Sequence, residues 1–294
     1  MSRNLVLVTG SKGQLGTELR RLAQGKPEWE FVFTDVAELD ITHPESVQSF
    51  ISQKPFKWII NCAAYTAVDK AETERDLAVK INGLAPGFLA EAAYKAGAAL
   101  IHISTDYVFN GKHYRPYKPD DPTGPESFYG QTKLQGEEAV KAAGGNAFII
   151  RTAWLYSEFG NNFVKTILKY GRERGRLNVV TDQIGSPTWA ADLAGFILHL
   201  MENCQPHGTE VLHYTNEGVC SWYDFAWYIV KLAGIECSIY PIPTEAYPLP
   251  APRPFYSVLD KKYTVERSGI AIPHWYESLQ KSMPAIIKTL FNIP

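Results

Sequence analysis

The sequence predicts an α/β fold, a doubly wound parallel sheet with a smaller C-terminal lobe. Three observations predict it. Short apolar runs alternate with amphipathic segments through the first half, the pattern of βαβ units. A glycine-rich turn, Gly10-Ser-Lys-Gly13-Gln-Leu-Gly16, joins the first run to the first amphipathic segment. After Trp154 the alternation loosens and a proline-rich stretch follows. We therefore expect residues 1–154 to form the larger domain, with later segments returning to it, and residues 155–294 to form mainly the smaller lobe.

The strand candidates are Leu5–Thr9, Glu30–Thr34, Trp58–Asn61, Ala99–Ser104 and Ala147–Ala153. Between them lie helix candidates at Gln14–Ala23, Pro44–Ser52, Thr73–Asn82 continuing past Pro86 to Ala96, and Ser127–Ala143. Right-handed crossovers bring the C-terminal ends of parallel strands to one edge, where ligands bind. Further on, helices are expected near Asn161–Arg174, Thr188–Glu202, Trp222–Ala233 and Trp275–Phe291, with a strand near Leu177–Thr181. Pro241 to Pro254 holds six prolines in fourteen positions, which excludes helix and central strand and leaves an extended segment.

Composition narrows the partner. A formal net charge of −2, with 20% charged residues, offers no basic surface for nucleic acid or anionic lipid. The apolar run Leu5–Thr9 is too short for a signal peptide or a membrane span. Cys62, Cys204, Cys220 and Cys237 are scattered without a C-x-x-C pair, so neither a zinc ribbon nor a disulfide framework is indicated. A cytoplasmic protein acting on a small molecule is the expectation.

The glycine turn specifies more. Gly10, Gly13 and Gly16 allow a tight turn and close approach of backbone to a pyrophosphate, and the helix N-terminus behind them offers free N–H groups and a favourable dipole. Nineteen residues past Gly16 stands Asp35, at the end of the second strand, where an acid hydrogen-bonds the adenosine ribose. This is a Rossmann-type site for NADH or NADPH. Asp35 favours NADH by repelling a 2′-phosphate, while Lys12 offers a nearby positive charge.

Tyr129 and Lys133 are spaced i, i+4 near the start of a helix candidate and share one face. Tyr114 and Lys118 match the same Tyr-x-x-x-Lys string, but Pro116 and Pro119 forbid the helix that would align them. Ketone reduction needs hydride on carbon and a proton on oxygen; a tyrosine with an ammonium nearby is suited to handle that proton. Thr105 and Ser104, at the end of a strand on the ligand edge, are candidates to polarise the carbonyl. Ser104 equally suits a strand-end backbone contact, and His102, between Ile101 and Ile103, reads as a packed histidine.

These residues, with Asn61-Cys-Ala-Ala-Tyr-Thr-Ala-Val-Asp-Lys-Ala-Glu72, Ser104-Thr-Asp-Tyr-Val-Phe109, Arg151-Thr-Ala-Trp154, Gly160-Asn-Asn-Phe163, Asp182-Gln183, Ser186-Pro-Thr188 and Arg253-Pro254, resemble the extended short-chain dehydrogenase/reductases. Within them the closest likeness is to the dTDP-4-dehydrorhamnose reductase family, over nearly the whole chain. The resemblance implies reduction of the C4 keto group of a dTDP-6-deoxyhexulose to dTDP-L-rhamnose by NADPH or NADH. It implies that Gly13, Gln14 and Leu15 touch the pyrophosphate and Asp35 the ribose. Asp40 and Ile41 would flank the adenine, and Ala63, Ala64, Tyr65 and Thr66 the far side of the cofactor. Tyr129 would be the proton donor, Lys133 its electrostatic partner and Thr105 the residue tuning both Tyr129 and the keto oxygen. Asp106, Tyr107 and Trp154 would contact the sugar, and Arg253 the diphosphate. Trp154 as plain core packing stands beside that role.

Some members of this family bridge two subunits with a metal held by acids. Glu18 matches one ligand, but Ala190-Ala191 stands where a second acid would be, so no metal is expected, and the chain is expected to be a monomer or homodimer. Two rivals remain. A nucleotide-sugar dehydratase or epimerase uses the same scaffold, but dehydration in similar enzymes needs Asp-Glu after the threonine, and here Thr105 is followed by Asp106 and Tyr107. A regulatory subunit resembling the β-subunit of methionine adenosyltransferase would not need Tyr129, Lys133, Thr105 and the glycine turn together.

Overall fold

In a computed structural model, which describes residues 4–292, the apolar runs become strands, the central ones buried on both faces and the edge strand at 29–33 half-buried. β1 (Asn4–Thr9), β2 (Trp29–Phe33), β3 (Phe56–Asn61), β4 (Ala99–Thr105) and β5 (Ala147–Thr152) pair in parallel. A sixth strand, β10 (Thr209–His213), adds beside β5, giving the order β10-β5-β4-β3-β1-β2. Alternation decides the two cores. Val6, Val8, Trp58, Ile60, Phe148 and Ile150 point to the side covered by α1 (Gln14–Ala23) and α8 (Ala190–Asn203). Leu7, Ile59, Leu100 and Ile149 point to the side of α2 (Pro44–Ser52), α5 (Ala85–Ala96) and α6 (Phe128–Ala142).

The winding of the parallel sheet reverses between β1 and β3, β2 lying on one side of β1 and β3 on the other, and in such sheets ligands bind at that crevice. The loops after β1, β3, β4 and β5 therefore open on one edge. α3 (Val68–Ala71) follows the β3 loop. The next helix departs from its expected form: α4 (Arg75–Ala78) runs into a π-helical turn at Val79–Leu84 before α5. Pro86 sits in the first turn of α5, where its missing N–H makes no intrahelical bond in any case. The wider turn carries Asn82 to a buried position against α6, where a Cβ on Gly136 would fall 2.1 Å from the Asn82 carbonyl oxygen.

Beyond Trp154 the chain leaves the sheet and returns to it. β6 (Leu155–Tyr156), α7 (Phe163–Arg174), β7 (Arg176–Val180), β8 (Ile184–Gly185) and β9 (Thr188–Trp189) precede α8; β10 follows it. Then come β11 (Cys220–Ser221), α9 (Trp222–Ala233), β12 (Ser238–Ile242), α10 (Lys262–Ser268) and α11 (Trp275–Phe291). α7, α9 and α11 enclose a third core around Ile167, Phe225, Ile229, Trp275 and Leu279. Expected boundaries shift where capping decides them: Asn162 caps α7 and Ser127 caps α6, so both helices begin one residue later than the cap. The first two residues of the expected helix at Thr188–Glu202 belong to β9. The proline-rich stretch is an extended strap with one 3₁₀ turn at Thr244–Ala246, and Pro241 lies in β12, which pairs only with β7.

Candidate active site

A cleft of about 570 Å³ runs along the strand edge from Gly13–Gly16, past Cys62, Ala64 and Thr66, to Thr105, Tyr129, Lys133 and Trp154. Its first end is made by close backbone approach. Gly10 has φ +64°, and a Cβ there would lie 2.5 Å from the Ala63 amide nitrogen; one on Gly16 would lie 2.5 Å from the Gly10 carbonyl oxygen. Gly13 stands at the N-cap of α1 and has no side chain to cap it, so the first-turn N–H groups remain available to an anion. Asp35 accepts from the amides of Lys12 (3.0 Å) and Val36 (2.9 Å), which fixes its carboxylate beside the glycine turn.

The adenine-side candidates separate. Asp40 is held by the Thr42 hydroxyl (2.7 Å) and amide (2.9 Å), hydrogen bonds that lower its pKa. Ile41 is buried in the core with Val47 and Ile51, so its side chain is committed to packing. On the far side, Ala63 donates to Asn61, and the Tyr65 hydroxyl donates to Glu74 at 2.7 Å. The Tyr65 backbone is clasped by Asn82, which accepts from its N–H and donates to its carbonyl, both at 2.9 Å. Asn82 escaped the sequence reading, because an asparagine inside a helix gives no sign of being buried against a neighbouring loop.

At the other end, Tyr129 and Lys133 lie on one face of α6, both buried. The rival Tyr114 is 89% exposed and no helix forms there. Burial pushes the Tyr129 phenol up to about 12, partly offset by the Thr105 hydroxyl beside it. The Lys133 ammonium, one turn along the helix, donates to the Ile103 carbonyl at 2.7 Å. Burial brings Lys133 down to about 8, against the opposing pull of Glu137.

Thr105 ends β4, accepts from the Tyr107 amide at 3.2 Å and donates to Asp106 at 2.9 Å. Asp106 is buried, desolvation raises its pKa to about 6 against the lowering contacts of Ser257 and Thr105, and its Oδ2 makes no hydrogen bond of good geometry among the described residues. That oxygen is free to accept from a ligand. Tyr107 meets Tyr129 edge-on, with ring centroids 5.5 Å apart. Ser104 borders the cleft, but its hydroxyl proton is committed to Glu137 (2.6 Å), which also holds Arg151 through two bonds of 2.9 and 2.7 Å. His102 is bonded to Asn61 and lies deep in the sheet, where burial and then Lys133 drive its pKa well down.

Trp154 carries a left-handed backbone, φ +49°, unusual for a residue with a side chain. Thr188 holds the bend by donating its amide to the Trp154 carbonyl (3.1 Å) and its hydroxyl to that of Ala153 (2.6 Å). The indole stacks on Trp222 at 3.5 Å and packs on Gly185, where a Cβ would fall 2.7 Å away. It is thus packed on one side and lines the cleft on the other.

A second cleft, of about 780 Å³, adjoins the first at Tyr107 and continues between Phe163, Ile167, Tyr170, Arg174 and Arg176 on one side and Trp222, Tyr247, Leu249 and Arg253 on the others. Among the described residues no cluster of His, Cys, Asp or Glu is arranged to hold a metal. Glu18 is fully buried and accepts from Arg21 (3.0 Å) and the Ser157 hydroxyl (2.8 Å). No helix among the described residues is long and apolar enough to cross a membrane.

Comparison with known proteins agrees with this geometry. The family model described as RmlD substrate binding domain matches residues 3–287. The spore coat polysaccharide biosynthesis protein SpsK of Bacillus subtilis is 42% identical, over 94% of this chain and 95% of its own. The crystal structure of a dTDP-4-dehydrorhamnose reductase of Clostridium acetobutylicum is 45% identical, with a TM-score of 0.90 over 95% of this chain and 98% of that one. The reductase of Bacillus anthracis in complex with NADP is 39% identical, with a TM-score of 0.91 over 96% of this chain and 99% of that one. Sequence and structure agree along almost the full length, and the chain belongs to the dTDP-4-dehydrorhamnose reductase family.

Proposed function

We propose that this protein reduces the C4 keto group of dTDP-4-dehydro-6-deoxy-L-mannose to dTDP-L-rhamnose with NADPH or NADH, Tyr129 giving the proton to O4. The observation that carries this reading is the single continuous cleft from an uncapped helix N-terminus to a buried Tyr129, Thr105 and Lys133. The free N–H groups of Gln14, Leu15 and Gly16 fit a pyrophosphate, and Asp35 and the 63–66 loop would hold the two ends of the dinucleotide. When bound, the reduced nicotinamide supplies the hydride.

This chain's residues handle everything else. Tyr129, protonated at neutral pH, donates its proton to O4 as negative charge develops there. The Thr105 hydroxyl adjoins that phenol, and by turning its one proton from Asp106 to O4 it steadies the same oxygen as charge develops. Lys133 supplies positive charge at the cofactor's ribose and keeps the pocket favourable to the oxyanion. Asp106 accepts a sugar hydroxyl through its unpartnered oxygen. The Trp154 indole gives the deoxyhexose a flat apolar surface, and the nucleotide extends past Tyr107 into the second cleft.

The test is loss of reduced-nicotinamide absorbance when the purified protein meets NADPH or NADH and the 4-keto sugar nucleotide. Stoichiometric loss with formation of dTDP-rhamnose is expected. Slow or absent loss beside tight cofactor binding would overturn the reading in favour of a recycling enzyme or a binding subunit. The pH profile of kcat/KM should be bell-shaped. Asp106 must be ionised to accept, so activity falls below about 6; Lys133 must be charged, so activity falls above about 8. Lys133→Arg, which stays charged, should remove the alkaline limb at reduced rate, and a wild-type profile flat to pH 9.5 would contradict the role given to Lys133.

A further inference from the structure

The proline-rich strap that follows β12 is fastened near each of its ends, at Thr244 and at Arg253. Near its start, Thr244 donates its amide (2.9 Å) and hydroxyl (2.7 Å) to Asp182. Near its end, Arg253 makes a two-pronged pair with Asp69, 2.7 and 2.8 Å, and the Ala251 amide donates to the same carboxylate at 3.1 Å. Between the fastenings Tyr247 and Leu249 lie exposed along the second cleft, and Pro248 and Pro250 have no N–H with which to anchor themselves.

Asp69 sits on α3, a short helix with three neighbours. Thr66 and Val68, just before it, line the cofactor cleft. Glu72, just after it, accepts from the Phe128 amide at 2.9 Å, at the start of the helix that carries Tyr129. Arg253 itself lines the second cleft beside Tyr107. One carboxylate therefore joins the strap to the segment that borders both the cofactor cleft and the catalytic helix.

We propose that Asp69 is a positioning residue for substrate binding, holding Arg253 in the one orientation that presents its remaining N–H groups to the diphosphate of a nucleotide-sugar. A guanidinium has five N–H groups. Asp69 takes one from each terminal nitrogen and the Ala251 carbonyl takes another (2.7 Å), leaving the Nε–H and one Nη2–H for phosphate oxygens. Asp69 also offsets part of the arginine's charge, which opposes anion binding. Positioning outweighs this, because a forked donor fixed in advance loses little freedom on meeting phosphate. The inference rests on the nucleotide-sugar reading above.

The experiment measures KM, kcat and the inhibition constant of dTDP at saturating cofactor for the wild type, Asp69→Ala, Asp69→Asn, Arg253→Ala and the double variant Asp69→Ala/Arg253→Ala. Asp69→Ala should raise KM and the dTDP inhibition constant by roughly tenfold, with kcat and the cofactor dissociation constant nearly unchanged. Asp69→Asn, which keeps an acceptor, should recover part of that loss. The double variant should be no worse than Arg253→Ala alone, because Asp69 acts through Arg253. Asp69→Ala with unchanged or lower KM, or losses that add in the double variant, would overturn the proposal. So would Arg253→Ala with unchanged KM. A wild type that turns over no dTDP-sugar would instead remove the reading beneath it.

Discussion

Tyr129→Phe is expected to lower kcat by about a thousandfold, within the range for removing a positioned general acid. The phenol is buried, its pKa is raised to about 12 and Thr105 adjoins its oxygen, so at neutral pH it carries a proton where a ketone oxygen would need one. The variant keeps the ring and hence the edge contact with Tyr107. Cofactor binding, read by fluorescence, and thermal stability should therefore stay close to wild type while turnover is lost. Retention of more than a tenth of the rate would transfer the proton to another group, and Asp106, with its pKa near 6 and a free oxygen, would be the one to test next.

The largest effect on stability should come from Glu137→Gln. Glu137 and Arg151 are both buried and paired through two hydrogen bonds. The Arg151 Nη1 also donates to the Pro119 carbonyl at 3.1 Å, and Ser104 leans on Glu137. Removing the carboxylate charge leaves a guanidinium buried without its counter-ion, which costs about 3–5 kcal/mol. A drop of roughly 6–15 °C in the unfolding midpoint follows. Replacing both partners with methionine should restore most of it, since no charge is then stranded. A midpoint lowered by less than 2 °C in Glu137→Gln would show that water or a relaxed Arg151 already compensates. Because Ser104 precedes Thr105, a measurable loss of kcat should accompany the loss of stability.

Much of the sheet was legible because its strands are buried on both faces and therefore read as uninterrupted apolar runs. β10 was not: Thr209-Glu-Val-Leu-His213 is short, lies at a sheet edge, and its Glu210 is held by Arg267 at 2.7 Å and Tyr263 at 3.2 Å from a distant helix as well as by the His207 amide at 3.0 Å. β12 was hidden by Pro241, tolerable because its one neighbour is β7. α10 begins at Lys262, its N-cap Lys261 gives no side-chain bond and the Asp260 carboxylate takes the Lys262 amide at 2.8 Å, so the capping pattern is displaced by one residue and did not announce the helix. Among the site residues, the glycine turn and the Tyr129/Lys133 pair are local patterns with a fixed geometry, and a proline was enough to dismiss Tyr114 and Lys118. The direction of a hydroxyl or ammonium is not local. Ser104 turns to Glu137 and Lys133 to the Ile103 carbonyl because of partners 33 and 30 residues away. The core position of Ile41 likewise depends on α2 and α5 packing over it.

The return of α8 and β10 to the sheet has a consequence for how the protein is made. When the first 154 residues have left the ribosome, five strands exist, but the face bearing Trp58, Phe148 and Ile150 still lacks Phe196, Ile197 and Leu200 of α8. Partly built sheets with uncovered apolar faces are the species that aggregate. The nascent chain must therefore extrude about sixty more residues, including α7 and the first strands of the other lobe, before that face can close. Neither half can be finished alone, and a gene fragment ending at residue 154 encodes a sheet with only α1 to cover one side and β5 as a bare edge.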